Sequence, residues 1–141
     1  MQTTIPNPTQ SLATTIPSAA TRWLKLAVVY LLLGISMGIV MGATENFTLR
    51  PVHAHVGLLG WASLGLAGLI YSVFPTAATS RLGRIHFWLH NLGLPLMMAA
   101  LAALLLGFVG AIPFLVAAEC MLAAGFIAFA LNVFRNLDRR T

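Results

Sequence analysis

Four histidines stand in or beside apolar stretches of the chain, as two pairs of different spacing: His53 with His55, and His86 with His90. An ionisable ring inside a membrane segment costs several kcal/mol unless it is partnered, so each pair is a candidate site. Two residues turn a helix by about 200°, so His53 and His55 point to opposite flanks and cannot grip one ion together. Below His53 on its own face come Gly57, Gly60 and Leu64. A strip with so little side chain suits a flat macrocycle lying against the helix while the imidazole reaches its iron, which favours haem over a compact ion. The alternative is that both rings bond headgroups or backbone at the membrane rim.

His86 and His90 differ in spacing and therefore in chemistry. Four residues apart, they share one helix face, followed by Gly93 and Met97. That geometry can chelate copper or zinc, line a proton-conducting water chain, or simply pack. Glu119, well inside an apolar stretch, should be neutral or paired. It bonds either a ligand histidine or haem edge, or another helix. Arg50, just before His53, can meet haem propionates or lipid phosphate. Cys120 reads as a small hydrophobe, and Met37, Met41, Met97 and Met98 as core filler.

These residues are positioned by a membrane-spanning chain. Of 141 residues 59% are hydrophobic and only 8% charged, with a mean hydropathy of +0.89, far above a soluble domain. Four apolar runs, about 24–43, 51–74, 85–109 and 113–134, are each long enough to cross a bilayer. The expected fold is therefore an all-α, integral membrane four-helix bundle. Residues 1–22, rich in Thr, Ser and Pro, read as a flexible tail, and 136–141 as a short C-terminal one. No stretch is left for a soluble catalytic domain, and one cysteine excludes an internal disulfide. No nucleotide loop or Ser-His-Asp set is present.

The net charge of +5 follows membrane orientation rather than a nucleic-acid surface. Arg22, Lys25, Arg81, Arg84, Arg135, Arg139 and Arg140 fall on one side of an even-numbered bundle, leaving Arg50 on the other. Both termini are accordingly expected in the cytoplasm of a bacterial-type inner membrane, in contact with lipid. On this layout His53 and His55 lie near the outer face, and His86 and His90 near the inner one. The antiparallel pairs are then separated by roughly 15 Å along the membrane normal. Trp23, Tyr71 and Trp88 are expected at the inner interface, and Trp61 near mid-membrane against protein or cofactor. Gly34, Gly38 and Gly42 form a stripe on the first span where another helix can come close. Pro95 should kink the third span at Asn91.

The run LRPVHAHVG opening the second span, after AVVYLLLGISMGIVMG, resembles the first two helices of the catalytic subunit of haem-copper oxidases, especially C-type oxidases and nitric oxide reductases. The HFW at His86 to Trp88 is similar to the start of their third helix. The resemblance implies that His53, in the RPxH motif, is an axial ligand of a low-spin haem b. That family's subunit has about twelve helices in three arcs of four, so a homotrimer of this one arc would rebuild the ring. An HxH pair in the family's third arc serves haems on both sides of its helix, and the HAH of His53 to His55 is similar to it. The resemblance thus implies haem b between neighbouring subunits, held by His53 of one and His55 of the next. The histidine pair that holds copper in that family has no counterpart, which argues against oxygen reduction. A bis-histidine b-type cytochrome in electron transfer or redox sensing, with a redox partner or respiratory complex, is the expectation. The alternatives are a nitric oxide or oxygen binding protein or reductase-like enzyme with an open axial position, and a non-haem accessory or assembly subunit.

Overall fold

The computed structural model describes residues 17–136, all-α with no strand among them. Four helices are long and apolar enough to cross a membrane, making this a multi-pass membrane protein. Helix α1 runs Ser18–Thr44 and α2 runs Arg50–Val73. A short α3, Pro75–Thr79, leads to α4, Arg81–Leu105, and α5 covers Ile112–Asn136. Of the expected tails, residues 1–16 and 137–141, with Arg139 and Arg140, lie outside the described residues.

Two boundaries differ from the sequence expectation. α1 begins at Ser18, so the stretch to Arg22 is helix rather than tail, and Ala20 within it is buried. Serine and alanine cost a helix little, and Pro17 sits before the first turn, where its missing N–H is harmless. α4 begins and ends four residues earlier than the apolar run suggests. The Ser80 hydroxyl oxygen accepts a 2.9 Å bond from the Gly83 N–H, a cap that starts the helix among its arginines. At the far end Gly107 adopts φ 97°, a conformation open to glycine, and the chain turns.

Close approach holds α1 on α2, as the glycines require. A Cβ at Gly60 would sit 2.6 Å from the Tyr30 ring, and one at Gly68 would sit 2.8 Å from Leu24. On the α1 side, Gly34 meets Val56 and Gly38 meets His53, whereas Gly42 meets nothing within 4 Å. Since lipid is as apolar as the side chains, such contacts draw on dispersion and backbone proximity rather than on a hydrophobic drive. α4 pairs with α5 in the same way, Gly93 lying under Leu122 and Gly125 against Leu89.

One irregularity was not legible beforehand. From Val56 to Ala62, α2 widens to a π-helix, with the Ser63 N–H bonding the Leu58 carbonyl. The Ser63 hydroxyl donates to that same carbonyl at 2.9 Å. A π-turn loosens the regular ladder and leaves a carbonyl to side-chain donors, an arrangement often found beside functional groups. Pro95 lies inside α4, and there the Asn91 amide donates to the Phe87 carbonyl at 2.8 Å.

Candidate functional site

At the end of the bundle where α4 begins, α1, α2, α4 and α5 converge on His86 and His90, which are 1% and 0% exposed. The helix spacing that puts the two on one face turns that face into the bundle, with ring centroids 5.6 Å apart and planes nearly perpendicular. Trp23 stacks 4.4 Å from His86, Phe129 lies 4.8 Å from it, and Phe126 lies 5.2 Å from His90. Trp23 and Tyr71, expected as interface rings, are therefore core residues, at 2% and 0% exposure. Burying these large rings around the imidazoles outweighs any interfacial preference. Trp88 alone of the three is exposed.

A hydrogen-bonded chain runs through this centre and favours one arrangement of its protons. The Ser80 hydroxyl donates to Asn132 Oδ1 at 2.7 Å. The Asn132 amide donates to the Ala77 carbonyl at 2.9 Å and to the Tyr71 oxygen at 3.3 Å. Tyr71 therefore accepts from Asn132, and its own O–H has His86 Nδ1, 3.0 Å away, as acceptor. A ring nitrogen that accepts carries no proton, so neutral His86 is protonated at Nε2. His90 Nε2 lies 3.0 Å from the Leu59 carbonyl, within the π-turn, and a carbonyl can only accept. His90 is accordingly protonated at Nε2 and bare at Nδ1. The two nitrogens left over, His86 Nε2–H and His90 Nδ1, are both buried and unpartnered, one a donor and the other an acceptor.

Sequence reading found the two histidines but missed Tyr71, Asn132 and Ser80 as their support. The signals were present: Asn132 is a buried amide in an otherwise apolar span, and Ser80 sits three residues before Gly83 at a helix start. A metal on His86 and His90 would use the two unpartnered nitrogens. His90 Nδ1 already offers a lone pair. His86 would first have to move its proton to Nδ1, turning the Tyr71 bond around. Among the described residues no cluster of three or more His, Cys, Asp or Glu side chains is placed to hold an ion.

His53 and His55 lie elsewhere, about 9 Å of helical rise separating His53 from the Leu59 carbonyl that His90 reaches. They do look into different spaces. The His53 ring lies on α1, its Cε1 3.3 Å from where a Gly38 Cβ would be, and its Nδ1 is buried without a partner. The His55 ring folds back on its own helix, with Nδ1 2.7 Å from the Pro51 carbonyl. That bond places the proton on Nδ1 and leaves the lone pair on Nε2.

The bare strip expected below His53 is only partly open. Gly57 has nothing within 4 Å of a Cβ, but Gly60 is covered by Tyr30 and Leu64 is fully buried. α1 occupies that face, so Gly60 serves helix packing and is withdrawn as a cofactor contact. Arg50 is exposed with its guanidinium 5.3 Å from the Phe47 ring centroid. Glu119 and Cys120 are exposed on α5, and Trp61 is 41% exposed on α2, so within one chain it packs against little. No family model matches this chain, and neither a curated protein nor a solved structure matches it.

Proposed function

We propose that the chain is a membrane b-type haem protein, serving electron transfer or redox sensing, with haem bound at the end of the bundle that carries His53 and His55. The observation that carries this reading is the His55 ring. Its Nδ1–H is engaged by the Pro51 carbonyl at 2.7 Å, and axial histidines are held in this way so that Nε2 faces iron with its basicity raised. Gly57, one turn below His53 on the flank opposite His55 and open to its surroundings, supports the shared arrangement by leaving room for a macrocycle edge. So does the likeness of LRPVHAHVG to the haem-binding helices of haem-copper oxidases.

Assembly belongs to the same proposal. His55 bonds its own helix and His53 Nδ1 is unpartnered, so a second axial ligand comes from a neighbouring copy. A homotrimer of four-helix arcs places them in this relation. Glu119 favours association: it is exposed about 10 Å along α5, where a carboxyl facing lipid is costly and one facing a neighbour is not. Arg50 stands at the correct end to meet propionates. Both termini are placed on the cytoplasmic side by the distribution of arginines.

The test is an oxidised and reduced absorption spectrum of the purified chain, repeated under carbon monoxide. A six-coordinate low-spin spectrum indifferent to carbon monoxide, lost in His55→Ala, supports the reading. Carbon monoxide binding with loss in His55→Ala would identify an open axial position and hence a gas-binding protein. A chain without a Soret band that acquires none on adding haem ends the haem proposal in favour of an accessory subunit.

A further inference from the structure

At the end of the bundle opposite His55, the starts of α1 and α4 enclose a cavity of about 110 Å³. Its walls include Arg22 and Trp23 from α1, and Gly83, Arg84, Phe87 and Trp88 from α4. Two guanidinium-bearing residues from different helices thus share one small space, closed beneath by the fully packed Trp23. Arg22 is steadied there, its guanidinium carbon 5.6 Å from the Phe87 ring centroid. Gly83 keeps the floor close to α3, since a Cβ there would lie 2.5 Å from the Ala77 carbonyl oxygen. The described carboxylates, Glu45 and Glu119, do not line it. Two cations beside a low-dielectric wall, with no carboxylate among the described residues lining it, attract an external anion.

The cavity continues into an open groove along Arg81, Arg84, Ile85, Trp88 and Leu89, sharing Arg84 and Trp88 with it. Ile85 is 41% and Trp88 60% exposed, an apolar track descending the outer side of α4 from the helix start into the membrane. A soluble phosphate would fill the cavity and leave this track unused. A phospholipid uses both. We propose that this end of the bundle is a binding site for an anionic phospholipid, its phosphate between Arg22 and Arg84 and an acyl chain along Ile85 and Leu89. The two arginines give fork-shaped donors suited to phosphate oxygens, and Trp88 supplies the amphipathic ring that marks the headgroup boundary.

Native mass spectrometry of the full chain in detergent tests this with added phosphatidylglycerol, phosphatidylcholine or inorganic phosphate. Phosphatidylglycerol should be retained at least about tenfold more tightly than phosphatidylcholine, at about 1 kcal/mol or more for each basic residue engaged. The Arg22→Gln/Arg84→Gln variant should abolish that preference, while Lys25→Gln, which lies outside the cavity, should leave it intact. Millimolar inorganic phosphate should not displace the lipid. Equal retention of the two lipids by the unaltered chain overturns the proposal without recourse to any variant. So does an equal loss in Lys25→Gln, which would mean diffuse surface charge, or displacement by inorganic phosphate, which would mean a small-anion site.

Discussion

The Tyr71 hydroxyl lies 3.0 Å from His86 Nδ1, in a contact that joins α2 to α4 with both side chains buried. With Asn132 on a third helix donating to the Tyr71 oxygen, the phenol O–H has His86 Nδ1 as its acceptor. An amide on α5 thereby favours one tautomer of an imidazole on α4.

Removing the phenol hydroxyl should show this. In Tyr71→Phe the ring still fills its place, but His86 Nδ1 loses its donor, at a cost of about 1 kcal/mol in a membrane bundle. Nitrogen-15 NMR should find the unaltered protein with His86 and His90 both protonated at Nε2. In the variant, His86 should populate the Nδ1–H form. His86 protonated at Nδ1 in the unaltered protein would refute the inferred bond direction.

Asn132 supports more than one partner, so its loss should cost more. Asn132→Ala leaves the Ser80 hydroxyl without its acceptor and the Ala77 carbonyl with only the longer 3.4 Å bond from the Ser80 N–H, besides releasing Tyr71. A loss of about 2–4 kcal/mol is expected from several buried groups left unpaired together. Asn91→Ala, which removes a bond only within its own helix to Phe87, should change stability by well under 1 kcal/mol. Unfolding of the two variants in mixed micelles makes the comparison.

What the sequence made legible follows from how each feature is encoded. Four spans were readable because hydropathy over twenty residues is a sum, insensitive to single positions. The shared face of His86 and His90 was readable because four residues is nearly one turn. The π-turn over Val56–Ala62 was not, since it depends on Gly60 fitting beneath Tyr30 and on His90 claiming the Leu59 carbonyl, both contacts between helices. The burial of Trp23 was not legible for a related reason. Position along a span gives depth, whereas lipid, core or interface is decided by the neighbouring helix, here by His86 at 4.4 Å.

Glycine substitutions separate helix packing from cofactor space. Gly60→Ala drives a methyl into the root of the Tyr30 ring, and Gly68→Ala meets Leu24 including its backbone nitrogen, so each should destabilise by about 1–3 kcal/mol. Gly42→Ala meets nothing within 4 Å and should be neutral or slightly stabilising. Thermal unfolding ranks the three, and a neutral Gly60→Ala would show that α1 does not lie where it is described.

Gly57 divides the haem proposal from a purely structural account of the same helix. Nothing in the chain lies within 4 Å of a Cβ at this position, so Gly57→Ala should leave the folded bundle intact and, by helix propensity, stabilise it by up to about 1 kcal/mol. If a macrocycle edge lies beside α2 below His53, the added methyl meets it, and haem occupancy at subsaturating haem should fall several-fold while thermal stability of the apo chain does not. Haem titration followed at the Soret band gives the first quantity and apo-protein unfolding the second. Occupancy unaffected in Gly57→Ala but lost in His55→Ala would place the haem on the His55 flank of α2 alone, away from the glycine, and would require the neighbouring copy to approach α2 from that flank.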